Sequence, residues 1–154
     1  MKTKKPAKFK VPRIPGKSER DPRQLSLFYP DSDWVLPDLG SLPDLRNVDA
    51  FAIDTETRDP PLLERGSGFL RHEKTSYVVG YAIAADGFQA YLPIAHGQGQ
   101  NLPKEDVLRY IQHIVSGEAV KVFHNAQYDL AALYSDKIEV LGPVADTLVA
   151  AALL

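Results

Sequence analysis

The feature that most constrains the fold is a pair of apolar segments joined by a two-residue turn. Residues 76–85 and 88–94 are rich in strand-forming side chains, and Asp86-Gly87 lies between them. Asp-Gly is a preferred two-residue turn between antiparallel strands, because glycine readily adopts the positive φ angle that this turn requires. The sequence therefore predicts a β-hairpin, which commits this part of the chain to an antiparallel pair of strands.

Other patterns add strands and helices before and after the hairpin. Apolar runs at 48–54 and 119–123 predict two further strands. Apolar residues at helical spacing predict a helix over about 103–116, which starts at a proline and ends before a glycine. Two more helices are predicted, over about 125–134 and 146–154. This order is typical of an α/β domain, and that is the fold class we expect.

Composition favours one soluble domain. The length of 154 residues suits a single domain with its own core, and 44% hydrophobic and 25% charged residues are ordinary for a globular protein. The absence of cysteine excludes a disulfide framework and fits a reducing compartment. No apolar run is long enough to span a bilayer, and the lysine-rich start lacks the apolar segment of a signal peptide. We therefore expect a cytoplasmic protein with no membrane partner.

Charge is unevenly distributed along the chain. Residues 1–23 hold nine Lys/Arg and two Asp/Glu, a net of +7, so residues 24–154 carry −9. The basic arm could hold DNA phosphates, or it could be a disordered, solubilising tail, and its prolines argue against a packed element. The next residues, 24–49, mix leucines and aromatics with prolines and predict an extended surface segment. The folded domain is then expected over 50–154.

Two acids stand where the first strand is predicted to end. Strand alternation puts Asp54 and Glu56 on one face and Thr55 on the other. Neighbouring carboxylates repel each other and lose hydration unless a cation lies between them. Hard divalent ions such as Mg²⁺ take carboxylates and substrate phosphates as ligands. The pair therefore indicates either one wall of a metal site or a solvated turn after the strand.

A second polar group follows the strand at 119–123. Asn125 and Asp129 are four residues apart, so on a helix they share one face. They would lie at the carboxyl end of a strand, where open α/β sheets bind ligands. The structural alternative is that Asn125 caps the helix and Asp129 complements its dipole. From the residues alone both interpretations stay open.

Together and in order, these motifs resemble those of the DnaQ-like, or DEDD, 3′–5′ exonucleases. Residues 53–57, Ile-Asp-Thr-Glu-Thr, resemble the first exonuclease motif, and 123–130, Phe-His-Asn-Ala-Gln-Tyr-Asp-Leu, resemble the second. The Asp-Thr pair at 146–147 is a frequent companion of these motifs. The likeness covers about 31–154 and is strongest to the proofreading domain of bacteriophage family A DNA polymerases. Residues 50–154 would then be a partial 3′–5′ exonuclease domain.

The resemblance implies an RNase H-like fold, a mixed sheet flanked by helices with its second strand antiparallel to its neighbours. It also implies catalysis by two divalent ions, Mg²⁺ or Mn²⁺, that clamp the attacking and leaving oxygens of a phosphodiester. By position, Asp54 would bind both ions, Glu56 the ion that activates water, and Asp129 the other. Thr55, through its backbone, and Asn125 would position the terminal nucleotide of a single-stranded DNA 3′ end.

Two nearby residues receive lesser roles. His124 is a weak candidate for a DNA contact, because a residue at the end of a strand needs no functional explanation. Asp146 is expected to cap the last helix rather than to bind metal.

The third motif of the family, Tyr-x-x-x-Asp or His-x-x-x-Asp, should follow the helix that begins at Asp146, and the sequence ends at Leu154. Tyr77, Tyr91 and Tyr134 have no aspartate four residues later, so none supplies that motif. We therefore expect a fold incomplete at the C-terminus, and a cytoplasmic location in the host if a phage encodes it. The chain would be an exonuclease fragment of a DNA polymerase. The alternatives are a non-catalytic fragment that binds nucleic acid or docks on the polymerase remainder, and an RNase D-like RNA exonuclease.

Overall fold

A computed structural model describes residues 35–62, 69 and 75–154 of the chain. The basic arm predicted for residues 1–23 lies outside the described residues, as does the first part, 24–34, of the predicted surface segment. The described remainder of that segment contains a short 3-10 helix at Leu39–Ser41 and the buried side chain of Leu45.

The described residues form a five-stranded mixed sheet with the order β3-β2-β1-β4-β5. The strands are β1 (Ala50–Arg58), β2 (Tyr77–Ala85), β3 (Phe88–Pro93), β4 (Val120–Phe123) and β5 (Val144–Asp146). Strand β2 runs antiparallel to β1 and β3, whereas β4 is parallel to β1 and to β5. The expected α/β architecture, with its second strand antiparallel to its neighbours as in RNase H-like folds, is confirmed.

Three α-helices accompany the sheet in the described part of the chain, and all three were predicted. They are α1 (Lys104–Val115), α2 (Ala126–Ser135) and α3 (Thr147–Ala152). Helix α1 begins after Pro103, because a proline is compatible with the start of a helix and not with its interior. Helix α2 follows directly on β4, and α3 follows directly on β5. None of these helices has both the length and the apolar composition needed to cross a bilayer.

The predicted hairpin is confirmed, with Gly87 in the turn at a φ of 68°. The predicted end of the first strand was wrong. Strand β1 continues through both acids to Arg58, because its backbone stays paired with β2 as far as Tyr77. Strand β5 was not predicted, since three residues are too few to show a periodic pattern.

The two faces of the sheet differ in burial. Side chains on one face join a hydrophobic core with α1 and α2; the core members from β1, α1 and α2 are Phe51, Ile53, Val107, Ile111, Ile114, Val115, Ala126, Ala132 and Leu133. On the other face, Ala52, Asp54, Glu56 and Arg58 of β1 are exposed. Thr55 lies on the face opposite the acids, as the alternation in the sequence predicted, and the structure shows that it is buried there. Strand β1 therefore carries core residues on one side and acids on the other.

The ladder between β1 and β2 is irregular beside the acids. Glu56 pairs with Gly80, and the next pair skips Val79. The carbonyl of Val79 instead accepts the backbone N–H groups of Ile94 and Ala95, at 2.8 and 3.1 Å, just after β3. Such bulges bend a strand and are frequent next to active sites. The bulge anchors the start of the loop after β3 at the level of Glu56.

Candidate active site

The first group of the site lies on the exposed face of β1. Asp54 pairs with Ala82 of β2, and Glu56 pairs with Gly80. Directly paired residues of antiparallel strands project from the same face, so the neighbours of both acids on β2 are small. The sheet is therefore low beside Asp54, whereas the ring of Tyr91 from β3 covers Gly80 beside Glu56.

The second group comes from α2. Asp129 is only 2% exposed, and its Oδ1 accepts two hydrogen bonds from Thr55, one from the backbone N–H at 2.8 Å and one from the hydroxyl at 2.6 Å. Strand β4 pairs with β1 only at 50–52, so the edge of β1 at Thr55 is left for α2. Tyr128 precedes Asp129 in α2, and its hydroxyl lies 2.5 Å from that of Thr57, two residues beyond Thr55 in β1. The second motif is thus attached to the first at two points.

Burial raises the pKa of Asp129, and the negative charge of Asp54 raises it further. The two hydrogen bonds from Thr55 lower this pKa but do not offset the burial. Asp54 and Asp129 therefore act on each other electrostatically, although they come from different elements. A cation beside them would favour the ionised form of both carboxylates.

Carboxylate oxygens suit a hard divalent cation, so the donor types of Asp54, Glu56 and Asp129 fit such an ion. Within the described ranges, however, no three Asp, Glu, His or Cys side chains form a group that could hold a metal ion. Asp54 interacts with Asp129 at the edge of β1, and Glu56 lies two residues further along the exposed face. The structure thus brings Asp54 and Asp129 into electrostatic interaction and places Glu56 on the same strand as Asp54.

Asn125 occupies the N-cap position of α2 in a left-handed conformation, with φ 70° and ψ 57°. The structural alternative is thus confirmed for the N-cap position of Asn125 and for Asp129 in the first turn, but the Asn125 side chain makes no capping hydrogen bond. Asparagine tolerates this conformation better than most residues, and such backbone geometry often occurs at functional sites. The Asn125 amide is therefore available for another contact.

The side chain of Asp146 caps the N-termini of both α2 and α3. Its Oδ1 accepts the N–H groups of Asn125 at 3.0 Å and Leu148 at 2.9 Å, and its Oδ2 accepts that of Ala126 at 2.8 Å. Some burial raises the pKa of Asp146, but these backbone donors lower it more, so it stays below its usual value. The prediction that Asp146 caps a helix is confirmed, and it extends to a second helix. His124, the weak candidate, is exposed and its Nδ1 lies 2.9 Å from the hydroxyl of Thr147.

One residue near the acids was missed from the sequence. Tyr91 of β3 pairs with Ala82, so it projects from the same face as Asp54. Its ring leans over Gly80, the residue that pairs with Glu56. The sequence contains no motif that marks this tyrosine, because its position depends on the register of three strands.

Comparison with known proteins identifies the family. A model of the 3′–5′ exonuclease domain of family A DNA polymerases matches residues 42–154. A DNA-directed DNA polymerase of Pseudomonas phage M6 is 45% identical over 112 residues, which are 70% of this chain and 16% of that protein. DNA polymerase I of Chloroflexus aurantiacus is 32% identical over 151 residues, which are 86% of this chain and 15% of that protein. The chain thus spans less than a fifth of the length of these relatives.

Among solved structures, Brucella melitensis NrnC bound to pGG is 28% identical, with a TM-score of 0.46 over 77% of this chain and 48% of that one. The same protein with bound Mg²⁺ is 26% identical, with a TM-score of 0.43 over 77% and 49%. Both scores are low, so the assignment rests on the family match, which covers most of the chain. On that match and the phage polymerase relative, the chain belongs to the 3′–5′ exonuclease family of family A DNA polymerases.

Proposed function

We propose that this chain is the 3′–5′ exonuclease, or proofreading, domain of a DNA polymerase and hydrolyses phosphodiester bonds at single-stranded DNA 3′ ends. The observation that carries the proposal is the arrangement around β1. Asp54 and Glu56 project from its exposed face, and Asp129 is hydrogen-bonded to Thr55 at its edge. Family membership supports the reaction class.

Asp54, Glu56 and Asp129 would hold two divalent ions, Mg²⁺ or Mn²⁺, as ligands. When bound, such ions activate a water molecule and stabilise the charge that develops on the phosphodiester. Thr55 holds the Asp129 carboxylate in one orientation before any ion binds, since both of its donors engage Oδ1. A carboxylate fixed in advance loses less conformational entropy on binding than a freely rotating one.

Thr55 and Asn125 would position the terminal nucleotide. The N–H of Thr55 is already donated to Asp129, so the backbone contact falls to its carbonyl oxygen. In a strand the N–H and C=O of one residue point to the same side, so this carbonyl faces the edge that α2 approaches. Asn125 lies at the start of α2 with its amide outside any capping bond, where it can bind a base or sugar.

The test is degradation of a 5′-labelled single-stranded oligonucleotide with Mg²⁺ or Mn²⁺, with a chelator as the metal-free control. We expect products that shorten from the 3′ end, and loss of cleavage in Asp54→Ala, Glu56→Ala and Asp129→Ala. Glu105→Ala is the matched control, because it removes an exposed acid from α1. Metal-dependent cleavage retained in all three site variants would contradict the proposal.

Two further outcomes separate the alternatives. A faster reaction on an RNA oligonucleotide of the same sequence would favour the RNase D-like function over proofreading. A wild-type chain that is folded by circular dichroism and gives no cleavage would contradict catalysis by this chain and favour the non-catalytic fragment.

A further inference from the structure

Tyr91 crosses from β3 towards the acids because position 80 has no side chain. A Cβ atom at Gly80 would lie 2.2 Å from the Tyr91 hydroxyl oxygen and 2.5 Å from Cζ, far inside contact distance. Gly80 pairs with Glu56, so the phenol occupies the position on β2 that is next to Glu56. Any larger residue at position 80 would have to displace the ring.

His96 holds the other side of the phenol. The Tyr91 hydroxyl shares a hydrogen bond with His96 Nε2, and the two rings meet edge to face with centroids 5.7 Å apart. Asn101 fixes the backbone of His96, since its Oδ1 accepts the His96 N–H and its Nδ2 donates to the His96 carbonyl, both at 2.9 Å. The start of this loop is anchored on Val79 at the bulge. The loop after β3 is thus held by hydrogen bonds, and through His96 it supports the phenol.

Glu56 and Tyr91 are close enough to interact, because the negative charge of Glu56 acts on the phenol. The hydroxyl of a tyrosine keeps its hydrogen at neutral pH and can act as a donor. Glu56 is exposed on the neighbouring strand and has three rotatable bonds with which to reach that donor.

We propose that His96 and Tyr91 form a hydrogen-bond relay that positions the Glu56 carboxylate. His96 donates from Nε2 to the Tyr91 oxygen, and the Tyr91 hydroxyl donates to Glu56. Tyr91 is then a positioning residue, because it acts through Glu56. This inference rests on the proposed function, in which Glu56 binds a divalent ion. Without the relay, an exposed glutamate samples several rotamers and must lose that freedom when it binds an ion.

The first experiment measures Mn²⁺ binding to the whole chain by isothermal titration calorimetry, with thermal unfolding to verify that each variant is folded. Tyr91→Phe removes only the donor, and Gly80→Ala displaces the ring. We expect each to weaken Mn²⁺ binding about 10-fold, as for other groups that orient a metal ligand. Tyr134→Phe is the control, because Tyr134 is 80% exposed on α2. The affinity of this variant for Mn²⁺ should equal that of the wild type.

A double variant tests that the two substitutions act on one interaction. Tyr91→Phe combined with Gly80→Ala should bind Mn²⁺ no more weakly than Tyr91→Phe alone, because the displaced ring no longer carries a donor. His96→Ala should weaken binding, and His96→Gln should restore it in part, since the glutamine amide can also donate. Additive effects of the first pair, or wild-type affinity in His96→Ala, would overturn the relay.

Glu56→Ala separates failure of the relay from failure of the proposed function. If Glu56→Ala weakens Mn²⁺ binding and Tyr91→Phe does not, the relay is overturned and the proposed metal role of Glu56 stands. If Glu56→Ala binds Mn²⁺ like the wild type, both are overturned. A metal-free readout is the ¹³Cζ NMR signal of Tyr91, which should move in Glu56→Gln; an unchanged signal would overturn the relay.

Discussion

Replacement of Thr55 by valine tests whether one hydroxyl holds α2 against β1. The hydroxyl donates to Asp129 at 2.6 Å. Thr55 is 6% exposed and Asp129 is 2% exposed, so water cannot easily replace this bond. Valine has nearly the same shape and leaves no cavity. A hydrogen bond to a charged group contributes about 1.5–3 kcal/mol, and that is the loss in unfolding free energy that we expect. For a chain of 154 residues this lowers the melting temperature by about 3–12 °C.

The assay is urea unfolding at neutral pH without metal, followed by circular dichroism. Thr55→Ser is the matched variant, because it keeps the hydroxyl and loses one methyl group, at a cost of about 0.8 kcal/mol. The expected order of stability is wild type, then serine, then valine. If packing rather than the hydrogen bond mattered at Thr55, valine would be more stable than serine, and that order would refute the reasoning.

The same variant has an expected pH dependence. The bond from Thr55 favours the ionised form of Asp129, so its loss costs most when that carboxyl is charged. The difference between wild type and valine should therefore shrink as the pH falls through the titration of Asp129. Burial places that titration above the ordinary aspartate range. A difference that is constant with pH would contradict the charge-assisted character of the bond.

Three further predictions concern the carboxylates. Asp129→Asn keeps an acceptor for Thr55 and removes a buried charge whose folded-state pKa is raised, so without metal it should melt higher than the wild type, by a margin that grows as the pH rises towards 7. Asp146→Ala should lower the melting temperature at neutral pH and weaken binding of a single-stranded oligonucleotide to the metal-free chain, because Asn125 loses its backbone anchor. The decrease in melting temperature should be smaller in acid. The pKa of Asp146 is lowered in the folded chain, so the stability that its charged form contributes is lost as the pH falls. Mn²⁺ should raise the melting temperature of the wild type and not that of Asp54→Ala, as differential scanning fluorimetry would show.

Local rules were enough to predict the hairpin and the helices. The Asp86-Gly87 turn and the apolar spacing of α1 are properties of neighbouring residues, so they can be read without a structure. Alternation along β1 also gave the correct faces for Asp54, Thr55 and Glu56. The end of β1 could not be predicted, because acids have low strand propensity and only pairing with β2 keeps them extended.

The contacts within the site depend on residues far apart in the chain. Thr55 and Asp129 are 74 positions apart, so strand alternation places Thr55 on the face opposite the acids but does not identify its partner. The capping of α2 by Asp146 likewise depends on β5, a strand too short to recognise. Tyr91 reaches the acids only through the register of β1, β2 and β3. Such pairings are set by tertiary structure, which a pattern in one segment does not contain.

The division of β1 into a core side and an acid side makes this strand intolerant of changes in length. Inserting or deleting one codon between residues 50 and 54 would turn the later side chains of β1 to the opposite face. Asp54 and Glu56 would enter the core and Thr55 would leave Asp129, so folding and metal binding would fail together. A single insertion in the exposed loop at 97–100 changes no strand register. In a library of one-residue insertions and deletions selected for folding, we therefore expect few variants with a change in β1 and many with a change in that loop.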